Sequence, residues 1–265
     1  MKFLVQQQPA YAYTGGQTFD TGKPSIVFIH GAANDHSVWT LQARYFAHHG
    51  FNALAVDLPG HGRSFGQAKI TIRQYADWLI GFMDSGAIAK VVLVGHSMGS
   101  LIALDVAARH PQRVSHLALL GVSAPMPVAD ILLDAARYRP ADAIDMLNIW
   151  GHAPQMKWAA SPSPGTSTMM ANKRLLERSA PGVLASDLAA CNDFSMSAAE
   201  LAAIGAPTLI ISGTRDMMTP PRAQLALAKQ IAGARLVSLE GIGHALMQET
   251  PSEVLDALKQ HCVIE

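Results

Sequence analysis

Five short stretches of the chain are apolar at almost every position: residues 25–29 (SIVFI), 52–56 (NALAV), 90–94 (KVVLV), 117–120 (LALL) and 208–212 (TLIIS). A strand with one face in water alternates apolar and polar side chains, so a strand apolar on both faces must be covered on both. Segments with helical spacing separate these runs, and parallel neighbours need such crossovers to return the chain to the same end of a sheet. The pattern predicts an α/β fold: a mostly parallel sheet with helices on both faces.

The first twenty-odd residues, with Phe3 to Val5, Tyr11 to Tyr13 and a Thr14-Gly15-Gly16 turn, suit short antiparallel strands at a sheet edge. Trp39, Leu41, Tyr45 and Phe46 mark a helix after the first buried strand. Ile72, Tyr75, Ala76, Leu79 and Met83 form the apolar face of a second over 72–84, and a third runs over 98–109 and stops before Pro111. The alternation ends near Ser123. Residues 123–201 lack strand runs, are rich in Ala, Met, Pro and Ser, and carry the loop SPSPGTST at 161–168. They read as a helical cap inserted into a core made of 1–122 and 202–265. Beyond it come a helix over about 221–231, a strand over 235–239 and a last helix opening near Pro251.

Of the 265 residues 49% are hydrophobic and 15% charged, enough apolar material for one buried core. Twenty basic side chains balance twenty acidic ones without a basic stripe, which excludes nucleic acid as a natural partner. Cys191 and Cys262 stand far apart with no CxxC spacing, which argues against a disulfide framework and a structural zinc site and fits the reducing cytoplasm. MKFLVQQQPA is too short an apolar stretch for a signal peptide, and no run approaches a membrane span. The expectation is a soluble cytoplasmic protein; its oligomeric state, a homodimer included, is not written in the sequence.

Gly95-His96-Ser97-Met98-Gly99 follows the strand KVVLV and opens a helix. A bare GxSxG arises by chance in roughly one chain in ten of this length at average Gly and Ser usage of about 7% each. Placed between strand and helix, however, it puts a serine on a strained turn at a helix N-terminus. A serine hydroxyl needs a base to take its proton and a third group to hold that base in the right tautomer. Asp216 in SGTRD follows the strand TLIIS, and His244 in GIGH follows the strand over 235–239. All three positions fall at the carboxyl ends of predicted parallel strands, where open α/β sheets place their sites. The competing roles are a helix cap for Asp216 and a surface position for His244. Two backbone donors are needed for a tetrahedral oxygen, and the amides of Met98 and Ala32 are the candidates. His30, Trp150, Met217 and Leu246 are candidates for substrate contact, although His30 reads rather as a brace of its loop, and His96, inside the turn, also reads as structural. Asp57, His61 and Arg63 in DLPGHGRS read as residues that fix a turn. Methionines such as Met126, Met146 and Met218 suggest an apolar, adaptable pocket.

Assembled in order, HGAA, DLPGHGRS, GHSMG, SGTRD and GIGH resemble the α/β-hydrolase family over almost the whole chain. The resemblance implies a sheet of about eight strands, an elbow serine, a helical cap, and no metal or organic cofactor. Ser97 sets the chain apart from the haloalkane dehalogenases and epoxide hydrolases of this fold, which use aspartate at the elbow. Ala32 stands where cofactor-free haloperoxidases and perhydrolases usually carry an aromatic residue. Ala245 stands where many carbon–carbon bond hydrolases have tryptophan. The reading that follows is a serine hydrolase acting on a small apolar carboxylic ester or thioester. Carbon–carbon bond hydrolysis, perhydrolysis or acyl transfer, and ligand binding without turnover are the alternatives.

Overall fold

The computed structural model describes residues 1–158, 162 and 165–262, with Lys157 and Trp158 through their backbone alone. Strands β1 (Lys2–Val5) and β2 (Gln8–Tyr13) form a hairpin whose two turn residues, Gln6 and Gln7, have φ of 49° and 63°. Positive φ at both positions gives the turn the twist that matches its strands. There follow β3 (Ser25–Ile29), α1 (Thr40–His48), β4 (Asn52–Val56), α2 (Ile72–Ser85), β5 (Val91–His96), α3 (Met98–Arg109) and β6 (Val114–Leu120). Helices α4 (Asp130–Tyr138), α5 (Pro140–Trp150), α6 (Thr168–Glu177), α7 (Val183–Asn192) and α8 (Ala198–Ala202) intervene before β7 (Thr208–Gly213). Then come α9 (Pro221–Ala228), β8 (Arg235–Leu239), α10 (Leu246–Glu249) and α11 (Pro251–His261). The SPSPGTST loop expected at 161–168 lies partly outside the described residues.

The strands form one eight-stranded sheet in the order β1-β2-β4-β3-β5-β6-β7-β8. The β1–β2 and β2–β4 pairs are antiparallel and the rest parallel. Period-two alternation sorts its side chains into two cores. Val27, Ile29, Val91 and Leu93 pack with α2 and α3 on one face; Ile26, Phe28, Val92 and Val94 pack with α1 and α11 on the other. Each fully buried aliphatic side chain contributes about 1.5–3 kcal/mol, so the two layers together drive the fold. Thr71 caps α2 by accepting the Gln74 N–H, and the predicted face of that helix is buried as expected.

Two expectations differ. Leu41 is 59% exposed, because Trp39 enters the core from a 3-10 turn (His36–Trp39) before α1 and the helix then turns Leu41 outward. Strand β6 begins three residues earlier than its apolar run, since Val114 and the half-buried His116 pair with Val91 and Val92 of β5, the register skipping Ser115 between them. The helices between β6 and β7 carry a third core of their own, built on Leu132, Ala135, Leu184 and Leu188, which Ala33 joins. They are not a detached unit: Ala190, Cys191 and Leu201 pack in the α2–α3 layer. No helix among the described residues is long and apolar enough to cross a membrane.

Candidate active site

At the carboxyl end of β5 the chain turns sharply into α3, and Ser97 sits on that turn with φ 53° and ψ −118°. Such a conformation is costly for a residue with a Cβ and persists only where the surroundings enforce it. A Cβ on Gly95 would lie 2.3 Å from the Gly99 carbonyl oxygen, and one on Gly99 would lie 2.3 Å from that of Ile29. Both positions must therefore be glycine for the helix to start this close to the sheet. The turn is pinned from β6: Ser97 N–H donates to the Leu120 carbonyl at 2.9 Å, and Ser100 Oγ donates to the Gly95 carbonyl at 2.8 Å.

Ser97 and His244 face one cavity of about 370 Å³ under the helices α4 to α7. Asp216 stands behind His244, accepting from its Nδ1 at 2.9 Å. The other Asp216 contacts hold the carboxylate still: its Oδ1 accepts the N–H groups of Met218 and Thr219 at 2.8 Å each, and its Oδ2 accepts the Thr219 hydroxyl at 2.7 Å. Burial pushes the Asp216 carboxyl up, but the facing His244 and these donors outweigh it and hold the group below the usual carboxylate range. A helix-capping role is not what this carboxylate does, since α9 opens on Pro221 after Pro220.

His96 places its ring against that of His244 and donates from Nε2 to the His244 carbonyl at 2.9 Å. Burial, reinforced by His244, drives its pKa down to about 3, so the ring is neutral and braces the loop. His30 and Leu246 are not among the residues that line this cavity. Burial and the neighbouring His61 lower the His30 pKa to about 4, and its ring is used twice within the protein, donating from Nδ1 to the Gly31 carbonyl and accepting the Leu58 N–H on Nε2. Leu246 lies in the α11-side core, because the start of α10 rotates it away from His244. Trp150, Met217 and Ala32 do line the cavity. The Gly31 backbone passes so close that a Cβ there would stand 3.0 Å from His96 Nδ1 and 3.3 Å from Ser97 Cβ. Met98 is the first residue of α3, where a helix leaves its N–H groups without intrahelical partners.

The family model described as "Alpha/beta hydrolase family" matches residues 26–257. The chain belongs to that family. It is 26% identical to (E)-2-((N-methylformamido)methylene)succinate hydrolase of Acinetobacter baylyi over 97% of this chain and 95% of the relative. It is 28% identical to pimeloyl-[acyl-carrier protein] methyl ester esterase of Aromatoleum aromaticum over 87% and 95%. Among solved structures, the enol-lactonase from Burkholderia xenovorans LB400 superposes with a TM-score of 0.86 at 24% identity, covering 98% of this chain and 99% of that one.

Within this hydrolase several cavity residues escape sequence reading. His152 lies two residues beyond Trp150, lines the cavity and donates from Nδ1 to the Asn148 carbonyl at 2.9 Å, while its buried Nε2 has no partner among the described residues. Only its place in WGH hinted at it. The loop carrying His244 is joined to the helical segment: Gly151 C=O accepts both the His244 and the Ala245 N–H at 2.9 Å, and the buried Glu249 accepts from Gly243 and Ala153. Burial raises the Glu249 carboxyl. Asp57 fixes its turn as expected, accepting from the Arg63 N–H and from His36 twice. Asp35, His36 and Asp57 bring three metal-type ligand atoms within 4.8 Å of one another. Those side chains are already engaged, Asp35 by the Ser37 N–H and Arg178 and Asp57 by His36 and Arg63.

Proposed function

We propose that the chain is a serine hydrolase that cleaves a neutral carboxylic ester or thioester with an apolar acyl or alcohol part. The observation that carries the reading is the strained Ser97 facing the same cavity as a His244 whose Nδ1 is tied to Asp216. Asp216 keeps the His244 proton on Nδ1, so Nε2 is free to take the Ser97 proton as Oγ adds to the substrate carbonyl. The oxyanion is met by the amides of Ala32 and Met98; His244 then returns the proton to the leaving alcohol or thiol. Water, deprotonated by His244, attacks the acyl-enzyme, and His244 passes that proton to Ser97 Oγ as the bond to the acyl carbon breaks and the acid leaves.

The cavity lining supports the substrate class. Among the described residues it contains no Lys, Arg, Asp or Glu, while Met126, Leu132, Leu147, Trp150, Leu188 and Met217 supply its apolar wall. A substrate carboxylate buried there would have no cation to pair with, which favours an uncharged chain. The relative named as a methyl ester esterase fits the same bond type. Residues 123–201 act as the cap over this cavity, and two unpaired buried cysteines fit a reducing cytoplasm.

The test is fluorophosphonate labelling together with turnover of nitrophenyl esters from acetyl to palmitoyl, with aryl-dienoate ring-fission products alongside. Stoichiometric labelling and a chain-length optimum are expected, both lost in Ser97→Ala with the fold retained. Ser97→Ala activity above a few per cent removes the serine from the mechanism; turnover of dienoates alone moves the substrate to a carbon–carbon bond.

A further inference from the structure

Asp187 belongs to α7, inside the helical insertion, and is fully buried. Its carboxylate is the meeting point of three separate parts of the sheet core. The Ala33 N–H donates to Oδ2 at 2.9 Å from the loop after β3, and His61 Nε2 donates to the same oxygen at 2.8 Å from the loop after β4. The Tyr75 hydroxyl donates to Oδ1 at 2.7 Å from α2. His61 finds an acceptor at each nitrogen, since Nδ1 bonds the Pro59 carbonyl at 2.9 Å. Although burial opposes it, the Asp187 charge raises the His61 pKa, as two acceptors at one imidazole require.

The loop that this carboxylate grips is the one at the reacting centre. Ala33 has a φ of 54°, which a residue with a Cβ keeps only when its surroundings hold it there. Its N–H belongs to the peptide unit joining it to Ala32, so the bond to Asp187 fixes the plane next to the amide assigned to the oxyanion. Ala33 is otherwise packed among Leu132, Leu184 and Leu188 of the insertion, apolar side chains that set no plane for an amide.

We propose that Asp187 is a positioning residue for acyl transfer: a cap carboxylate that sets the Ala32–Ala33 backbone, so that the oxyanion site is formed only while the cap is seated. This rests on the serine-hydrolase reading above. Asp187 touches no substrate; it acts through the peptide plane that it holds.

The experiment compares the parent with Asp187→Ala, which removes the acceptor of the Ala33 N–H, on a short nitrophenyl ester, counting active sites by fluorophosphonate titration. It also measures inhibition by an alkylboronic acid, which forms a tetrahedral adduct on the serine, and thermal unfolding. Loss of one oriented oxyanion donor predicts a fall in kcat of about 10²-fold, with KM within about three-fold and the boronate Ki rising in parallel with the loss of kcat/KM. A purely structural role lowers the melting temperature and leaves kcat per titrated site and Ki within about two-fold, which overturns the proposal. Should Asp187→Ala not fold, Tyr75→Phe keeps the ring and removes one donor to the carboxylate; it should move kcat and Ki together by about ten-fold, and no movement has the same overturning force. A parent that neither labels nor turns over esters overturns the serine-hydrolase reading and this one with it, whereas an active parent with an indifferent variant overturns this one alone.

Discussion

Replacing Asp216 by asparagine exchanges one atom and reverses the hydrogen bonds that the Thr219 hydroxyl and His244 Nδ1 make to Oδ2. In the native arrangement Oδ1 accepts two backbone N–H groups at 2.8 Å, while Oδ2 faces the Thr219 hydroxyl at 2.7 Å and His244 Nδ1 at 2.9 Å. Two N–H donors can be met only by an oxygen, so the asparagine keeps its carbonyl at the Oδ1 position and turns its NH₂ toward His244. The ring must then accept on Nδ1 and carry its proton on Nε2, the atom that has to receive the proton of Ser97. A tautomer reversal of this kind costs about 10⁴-fold in kcat, equivalent to about 5.4 kcal/mol of transition-state stabilisation. The volume is conserved and the two backbone bonds survive, so the fold should persist. The assay is pre-steady-state acylation by a nitrophenyl ester, normalised to correctly folded protein by circular dichroism. A folded variant whose acylation rate falls by less than about ten-fold would refute the reasoning, because the proton would then reach its acceptor without help from Asp216.

Two further outcomes concern stability. Gly99→Ala places a Cβ 2.3 Å from the Ile29 carbonyl and 2.7 Å from that of His30, both backbone atoms of the central sheet. It should cost about 1–3 kcal/mol, read as a lowered melting temperature together with loss of fluorophosphonate labelling, and a variant of unchanged stability and labelling contradicts the packing argument. Acid should destabilise the protein below pH 6.5. His30 and His96 have folded pKa values of about 4 and about 3, below the unfolded value of 6.5, so the unfolded chain takes up protons first as pH falls. Their stabilisation is complete above pH 6.5 and is lost at about 1.4 kcal/mol per pH unit for each ring toward the folded values. Glu249, raised, opposes this in part, and His61, also raised, acts above pH 6.5. Urea midpoints should therefore fall between pH 6.5 and 5, and a midpoint that stays level or rises would show that the buried rings are charged in the folded state.

What the sequence could declare was whatever depends on near neighbours. A strand buried on both faces shows as an apolar run, and the elbow shows as two glycines flanking a serine, because both arise within a few residues. The misplaced side chains are those whose direction is decided by a turn: Leu41 is rotated outward by the 3-10 step before α1, and Leu246 inward by the start of α10. The partners of Asp187 lie between 112 and 154 residues away. No period or motif encodes such a meeting, and an aspartate in the apolar helix VLASDLAACN offers only its own incongruity as a clue. His30 was legible as a histidine before a glycine, but its second internal bond depends on Leu58 arriving in the loop after β4.

The single carbonyl of Gly151, shared by the amides of His244 and Ala245, bears on how the chain can be re-engineered. Cap segments are attractive units to exchange between hydrolases in order to change substrate range. Here the donor segment could not be cut at its helices alone, because the peptide that ends α5 also supplies the acceptor that shapes the turn of His244. A chimera in which residues 151–153 keep the recipient's backbone would preserve that turn while altering the apolar wall. One that replaces them would have to rebuild the base along with the pocket.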